Sequence, residues 1–128
     1  MTESLEVSVK VPATAQAIFQ AWISSNEHSQ FTGSPAMIDP VVGGKFTAWD
    51  GYIQGITLEL NPHVRIVQSW RTSDFPADSP DSRLEINLQE FAGETLITLV
   101  HTNLPDGQAD EYRAGWSDFY FKPMLAFF

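Results

Sequence analysis

Leu5, Val7, Val9 and Val11 alternate with Glu6, Ser8 and Lys10, the period-two pattern of a half-buried strand, and Pro12 stops it. From there the period changes. Ala15, Ile18, Phe19, Trp22 and Ile23 form one apolar helical stripe, with Thr14 placed to cap the first turn. Ser24 and Glu27 have capping-box spacing, which predicts a second short helix to about Phe31, with Gly33 as its left-handed stop. Alternation resumes after a loop through Pro35 and Pro40. Strands are predicted over 45–49, opened by Gly43-Gly44, and over 52–60, entered through an Asp50-Gly51 hairpin turn, with Gly55 a candidate bulge. Three more follow over 64–72, 83–91 and 94–102, the last two joined through Ala92-Gly93. Residues 73–81, with Pro76 and Pro80, read as an exposed loop and the most mobile stretch.

Beyond Leu104-Pro105-Asp106-Gly107 the helical period returns in Tyr112, Trp116, Phe119, Tyr120, Met124 and Phe127. Asp106, Asp110 and Glu111 near the start complement the helix dipole. Pro123 removes the hydrogen bond to the Phe119 carbonyl, which predicts a kink or an end there. The expected order is β-α-α-β-β-β-β-β-α, an α+β meander with six strands. No linker or repeat divides it, so one domain is expected over residues 1–128.

Composition narrows the functions open to such a chain. Its 128 residues, 43% of them hydrophobic, suit one buried core, and no apolar run approaches the ~18 residues of a membrane span. Sixteen Asp and Glu against seven Lys and Arg give a net charge of −9, which repels phosphate backbones and excludes nucleic acid as a natural partner. There is no cysteine, and the three histidines, His28, His63 and His101, have no metal-ligand spacing, so neither metal nor cofactor is expected. The N-terminus shows no basic segment or apolar core of a secretory signal, and a cytoplasmic location is expected.

Phe31-Thr32, Gly43-Gly44-Lys45-Phe46, Asp50-Gly51, Trp70-Arg71, Gly115-Trp116 and Tyr120-Phe121, in this order and spacing, resemble the C-terminal domain of the Hsp90 ATPase activator family. The resemblance spans nearly the whole chain. It implies the START-like (SRPBCC, Bet v 1-type) helix-grip fold, a curved six-stranded antiparallel sheet around a long C-terminal helix. Pro123 departs from the family pattern, in which this helix usually continues through another residue. The chain as read begins at its first predicted strand, so the separate domain with which the eukaryotic activator docks on the chaperone is not expected in it. It is similar instead to stand-alone members that resemble binders of small molecules or lipids.

In this fold a cavity can lie between sheet and helix. Strand alternation turns Ile66, Gln68 and Trp70 toward the helix, as it does Leu84, Ile86 and Leu88 and then Ile97, Leu99 and His101. Phe46 joins them, and Tyr112, Trp116 and Phe119 face them from the helix. These side chains either line a ligand cavity or fill it. Gln68 and His101 favour a site, because a buried amide or imidazole needs a hydrogen-bond partner that a ligand or water could provide.

The first expectation is therefore non-enzymatic binding of a small hydrophobic or amphipathic ligand, in a stress-related role. A second is a co-chaperone-like module with a protein partner, or a homodimer, using apolar residues of 119–128 that lie off the core stripe, Phe121, Leu125 and Phe128. The third is a cyclase- or dehydratase-like enzyme with His101 as base, near Asp74 or Tyr112, an expectation taken from relatives of the fold. Gly43-Gly44 lacks any phosphate-loop context and reads as a turn.

Overall fold

The computed structural model describes residues 2–128. Strand β1 (Thr2–Val11) leads through Thr14 into α1 (Ala15–Ile23), whose first turn is capped by the Ala17 N–H donating to Thr14 Oγ1 at 3.1 Å. Helix α2 (Ser25–Thr32) starts the same way, with the Glu27 N–H on Ser24 Oγ, and ends on Gly33 at φ 78°. The polar signals at both helix starts therefore act as caps. Four strands follow, β2 (Met37–Ile38), β3 (Lys45–Ala48), β4 (Ile53–Asn61) and β5 (Arg65–Thr72), then β6 (Ser82–Phe91) and β7 (Glu94–Pro105).

All seven strands form one antiparallel sheet in the order β1-β7-β6-β5-β4-β3-β2. The count exceeds the expected six by β2, two residues paired through Met37↔Thr47 and Ile38↔Phe46. A strand of two residues has no alternation to read. Gly55 is also not a bulge. The register shift in β4 lies between Thr57 and Glu59, whereas a Cβ on Gly55 would sit 1.9 Å from the Ser69 carbonyl oxygen. Glycine is needed there for close approach of two strands.

The C-terminal helix runs from α3 (Ala109–Trp116) through a π-helical segment (Ser117–Phe121) into α4 (Lys122–Phe127). Pro123 therefore does not end the helix; it stands in the first turn of α4, directly after the π-helical segment. The widened turn before it, where the Lys122 N–H donates to the Ser117 carbonyl, accommodates the residue that cannot donate. The extra residue in that turn also shifts the helix face. Tyr112 and Trp116 are buried, and beyond them Tyr120, Phe121 and Met124 continue the buried stripe while Phe119 is 56% exposed. Phe119 was expected to face the sheet, and Phe121 to lie off the stripe. One residue of π-helix rotates both away from α-helical phase.

Expected inward residues of the central strands, from Ile66 through His101, are buried in one continuous core that α1, α2 and the C-terminal helix cover. The loop over 73–81 is largely exposed, as expected, and is held at particular points. Arg71 donates to the carbonyls of Ser79 and Pro76 and to Asp81 Oδ1, and Phe75 is buried against Trp70. No helix among the described residues is long and apolar enough to cross a membrane.

Candidate functional site

One cavity of about 340 Å³ lies between the C-terminal helix and the β3–β4–β5 end of the sheet. That is the size of a small-molecule site. Of the residues expected to line a site, only Trp70, Tyr112, Trp116 and Phe119 border it. Trp70 is its inner wall, edge-on to Tyr112 at 5.0 Å and tilted against Trp116 at 5.6 Å between ring centres. Phe119 stands at the mouth, edge-on to Trp49 at 5.6 Å.

The remaining expected residues lie elsewhere. Phe46, Gln68 and Leu84 surround a separate void of about 10 Å³, the threshold for a single water. Ile86, Leu88, Ile97 and Leu99 are packed in the core and reach neither space. His101 is fully buried in a chain of protein hydrogen bonds.

That chain has one consistent direction. The Trp116 indole N–H donates to His101 Nδ1 at 3.1 Å, so the proton of the neutral ring is on Nε2, which donates to Ser82 Oγ at 2.8 Å. Ser82 in turn donates to the Trp70 carbonyl at 2.6 Å. Burial holds His101 in this neutral form, with its pKa lowered to about 3. The histidine thus fixes Trp116, a cavity wall, to the backbone of Trp70, another. Its partner is protein, and so is that of Gln68, which accepts from the Trp22 indole N–H at 3.2 Å and donates to Thr57 Oγ1.

A second buried histidine does the same on the far side. His28 Nδ1 donates to the Trp22 carbonyl at 2.8 Å and Nε2 accepts from the Tyr120 hydroxyl at 2.9 Å. Burial lowers its pKa to about 4, against the opposing effect of the backbone hydrogen bond.

Residues that sequence reasoning did not assign complete the cavity: Trp49, Tyr52, Ile53, Glu111, Gly115 and Tyr120. Trp49 and Tyr52 flank the Asp50-Gly51 turn, whose central φ values of 56° and 90° make it the expected primed hairpin turn, closed by the Tyr52 N–H on the Trp49 carbonyl. Trp49 itself has φ 53°, a conformation bulky residues rarely adopt. Glu111 and Gly115 lie one helical turn apart, beside Tyr112 and Trp116, so the helix period was their signal. A Cβ on Gly115 would meet nothing nearer than Phe119 at 4.0 Å. This helix glycine is not there to let another element approach, and a larger side chain at this position would reach into the cavity that it lines.

Among the described residues no three His, Asp or Glu side chains are grouped to hold a metal ion. The lining is aromatic, with the Glu111 carboxylate its only charge. Such a surface can bind apolar and π-bearing groups.

The family described as Activator of Hsp90 ATPase homolog 1-like protein matches residues 12–126. The chain belongs to this family. Among its curated relatives, Activator of 90 kDa heat shock protein ATPase homolog 1 of Homo sapiens is 26% identical over 94% of this chain and 39% of its own length. The Dictyostelium discoideum homolog is 25% identical over 90% of this chain and 30% of its own length. The chain therefore spans two-fifths or less of these activators.

Solved structures carry the same fold. The crystal structure of an HSP90 activator from Plasmodium falciparum superposes with a TM-score of 0.90 at 22% identity, covering 97% of this chain and 94% of that one. The solution structure of the Aha1 dimer from Colwellia psychrerythraea gives 0.80 at 14% identity, covering 97% and 95%. At these identities the likeness is one of fold.

Proposed function

We propose that this member of the Hsp90-activator-like family is a non-enzymatic binder of a small hydrophobic or amphipathic molecule, held in the cavity against Trp70, Tyr112, Trp116 and Phe119. The observation that carries this reading is the cavity itself, about 340 Å³ of space walled largely by aromatic rings, the size and character of a small-molecule site. The cyclase-like alternative needs a histidine nitrogen open to the cavity, and both nitrogens of His101 are engaged by protein.

The test uses N-phenyl-1-naphthylamine, a neutral apolar dye whose emission rises on leaving water. It should bind at one site per chain and be excluded by Gly115→Phe, with Gly115→Ala as a folded control. A chain that leaves the dye dark, or a Gly115→Phe protein that binds it as well as the parent, overturns the reading.

A co-chaperone-like role is the second reading, supported by the matches to activators of a 90 kDa heat shock protein ATPase. Leu125 and Phe127, both exposed on α4, would be its contact residues. It places the protein in the cytoplasm. It predicts stimulation of a purified Hsp90 ATPase that Phe127→Ala weakens; an unchanged ATPase rate argues against it.

A further inference from the structure

We infer that the cavity selects cations, and that its ligand class is an amphipathic ammonium, an alkyl- or aryl-bearing amine or quaternary amine. This rests on the binding reading above and names the chemistry of the same site. The decisive feature is where the polar hydrogens of the walls go. The Trp116 N–H is on His101, the Tyr120 hydroxyl on His28, the Tyr52 hydroxyl on Asp74 Oδ2 at 2.6 Å, and the Tyr112 hydroxyl on Gln108 Oε1 at 2.7 Å.

Thr72 Oγ1 lies 2.7 Å from the same Tyr112 oxygen and completes its coordination. Four of the lining groups able to hold an anion are thereby committed to protein acceptors. What these residues contribute to the lining is chiefly their rings, whose π faces are electron-rich. Of the lining indoles, that of Trp49 interacts with the Tyr120 hydroxyl and that of Trp70 is a neutral donor.

The charge at the site has the same sign. Glu111 is the one ionic group of the lining, and Asp74 stands behind Tyr52. Among the described residues no arginine or lysine lines the cavity, and the two arginines adjoining lining residues in sequence point to other partners. Arg113 donates to the Glu6 carbonyl, and Arg71 is bound into the 73–81 loop. A net charge of −9 on the chain adds a long-range field that attracts cations and repels anions. An ammonium group enclosed by Trp, Tyr and Phe faces gains from each ring quadrupole, and a carboxylate at the rim supplies the counter-charge.

Three probes of one shape separate this from simple hydrophobic binding: benzyltrimethylammonium, its neutral carbon isostere neopentylbenzene, and the anion benzylsulfonate. Each is titrated against bound N-phenyl-1-naphthylamine at low salt. The cation should displace the dye at a concentration about tenfold or more below the anion and about three- to tenfold below the isostere. Glu111→Gln should shrink the cation-to-anion ratio, and added salt should do the same.

Equal displacement by all three, or an advantage for the anion or isostere, overturns cation selectivity while leaving the cavity a binding site. A dye that never binds overturns both. Because the readout is a ratio within each protein, a partial loss of fold in a variant does not mimic it.

Discussion

Gly115 and His101 show how single residues shape the cavity wall, one by lining it and one by fixing Trp116. Gly115→Ala should raise stability by about 1 kcal/mol, the ordinary helix-propensity gain, because a Cβ there meets only ordinary contact distance. Thermal or urea unfolding checks this; a loss of stability would mean that the glycine serves packing. His101→Ala should have the opposite effect. It orphans the Trp116 indole N–H in a buried setting, about 1–3 kcal/mol, and adds a void. The matching readout is Trp116 fluorescence, which should shift as its ring loses the hydrogen bond that fixes it.

Both residues were partly visible in the sequence. Alternation in β7 put His101 on the inner face, but the protein atom that would satisfy it, Ser82 Oγ, is not implied by any periodicity. A buried polar residue announces that it has a partner, and three-dimensional packing decides whether that partner is ligand or protein.

At the scale of elements, helix starts, hairpin turns and inner strand faces follow local chemistry closely enough to be read from side-chain type. Thr14, Ser24 and Gly33 occupy the positions that caps require, and Asp50-Gly51 and Ala92-Gly93 take positive φ at both turn positions. The π-helical segment was not legible. α-Helical spacing assigns Phe119 to the core and Phe121 outside it, and one added residue per turn reverses that assignment.

Another element-scale departure is Gly55, whose role depends on the neighbouring strand. Gly55→Ala should cost stability at or beyond the upper end of about 1–3 kcal/mol, since its Cβ would collide with the Ser69 carbonyl. A urea midpoint equal to that of the parent would contradict this close approach.

For the whole molecule, the two buried histidines tie stability to pH. Both have folded values, about 4 for His28 and about 3 for His101, below the ordinary 6.5. The unfolded chain therefore binds protons that the folded chain refuses. Their contribution is complete above pH ~6.5 and is lost as pH falls toward the folded values, at up to ~1.4 kcal/mol per pH unit for each. Urea midpoints measured from about pH 7 down to about pH 5, above most carboxylate titration, should fall steadily. A flat profile would mean that His28 and His101 protonate in place.

The central claim is that the aromatic cavity under the C-terminal helix is a ligand site. Its most direct test is native mass spectrometry of the protein purified from its own host, followed by organic extraction and identification of what co-purifies. The account predicts a stoichiometric small molecule, carrying an amine, that is absent from the Gly115→Phe protein. Reproducibly unliganded protein, or a molecule retained equally by Gly115→Phe, would contradict it.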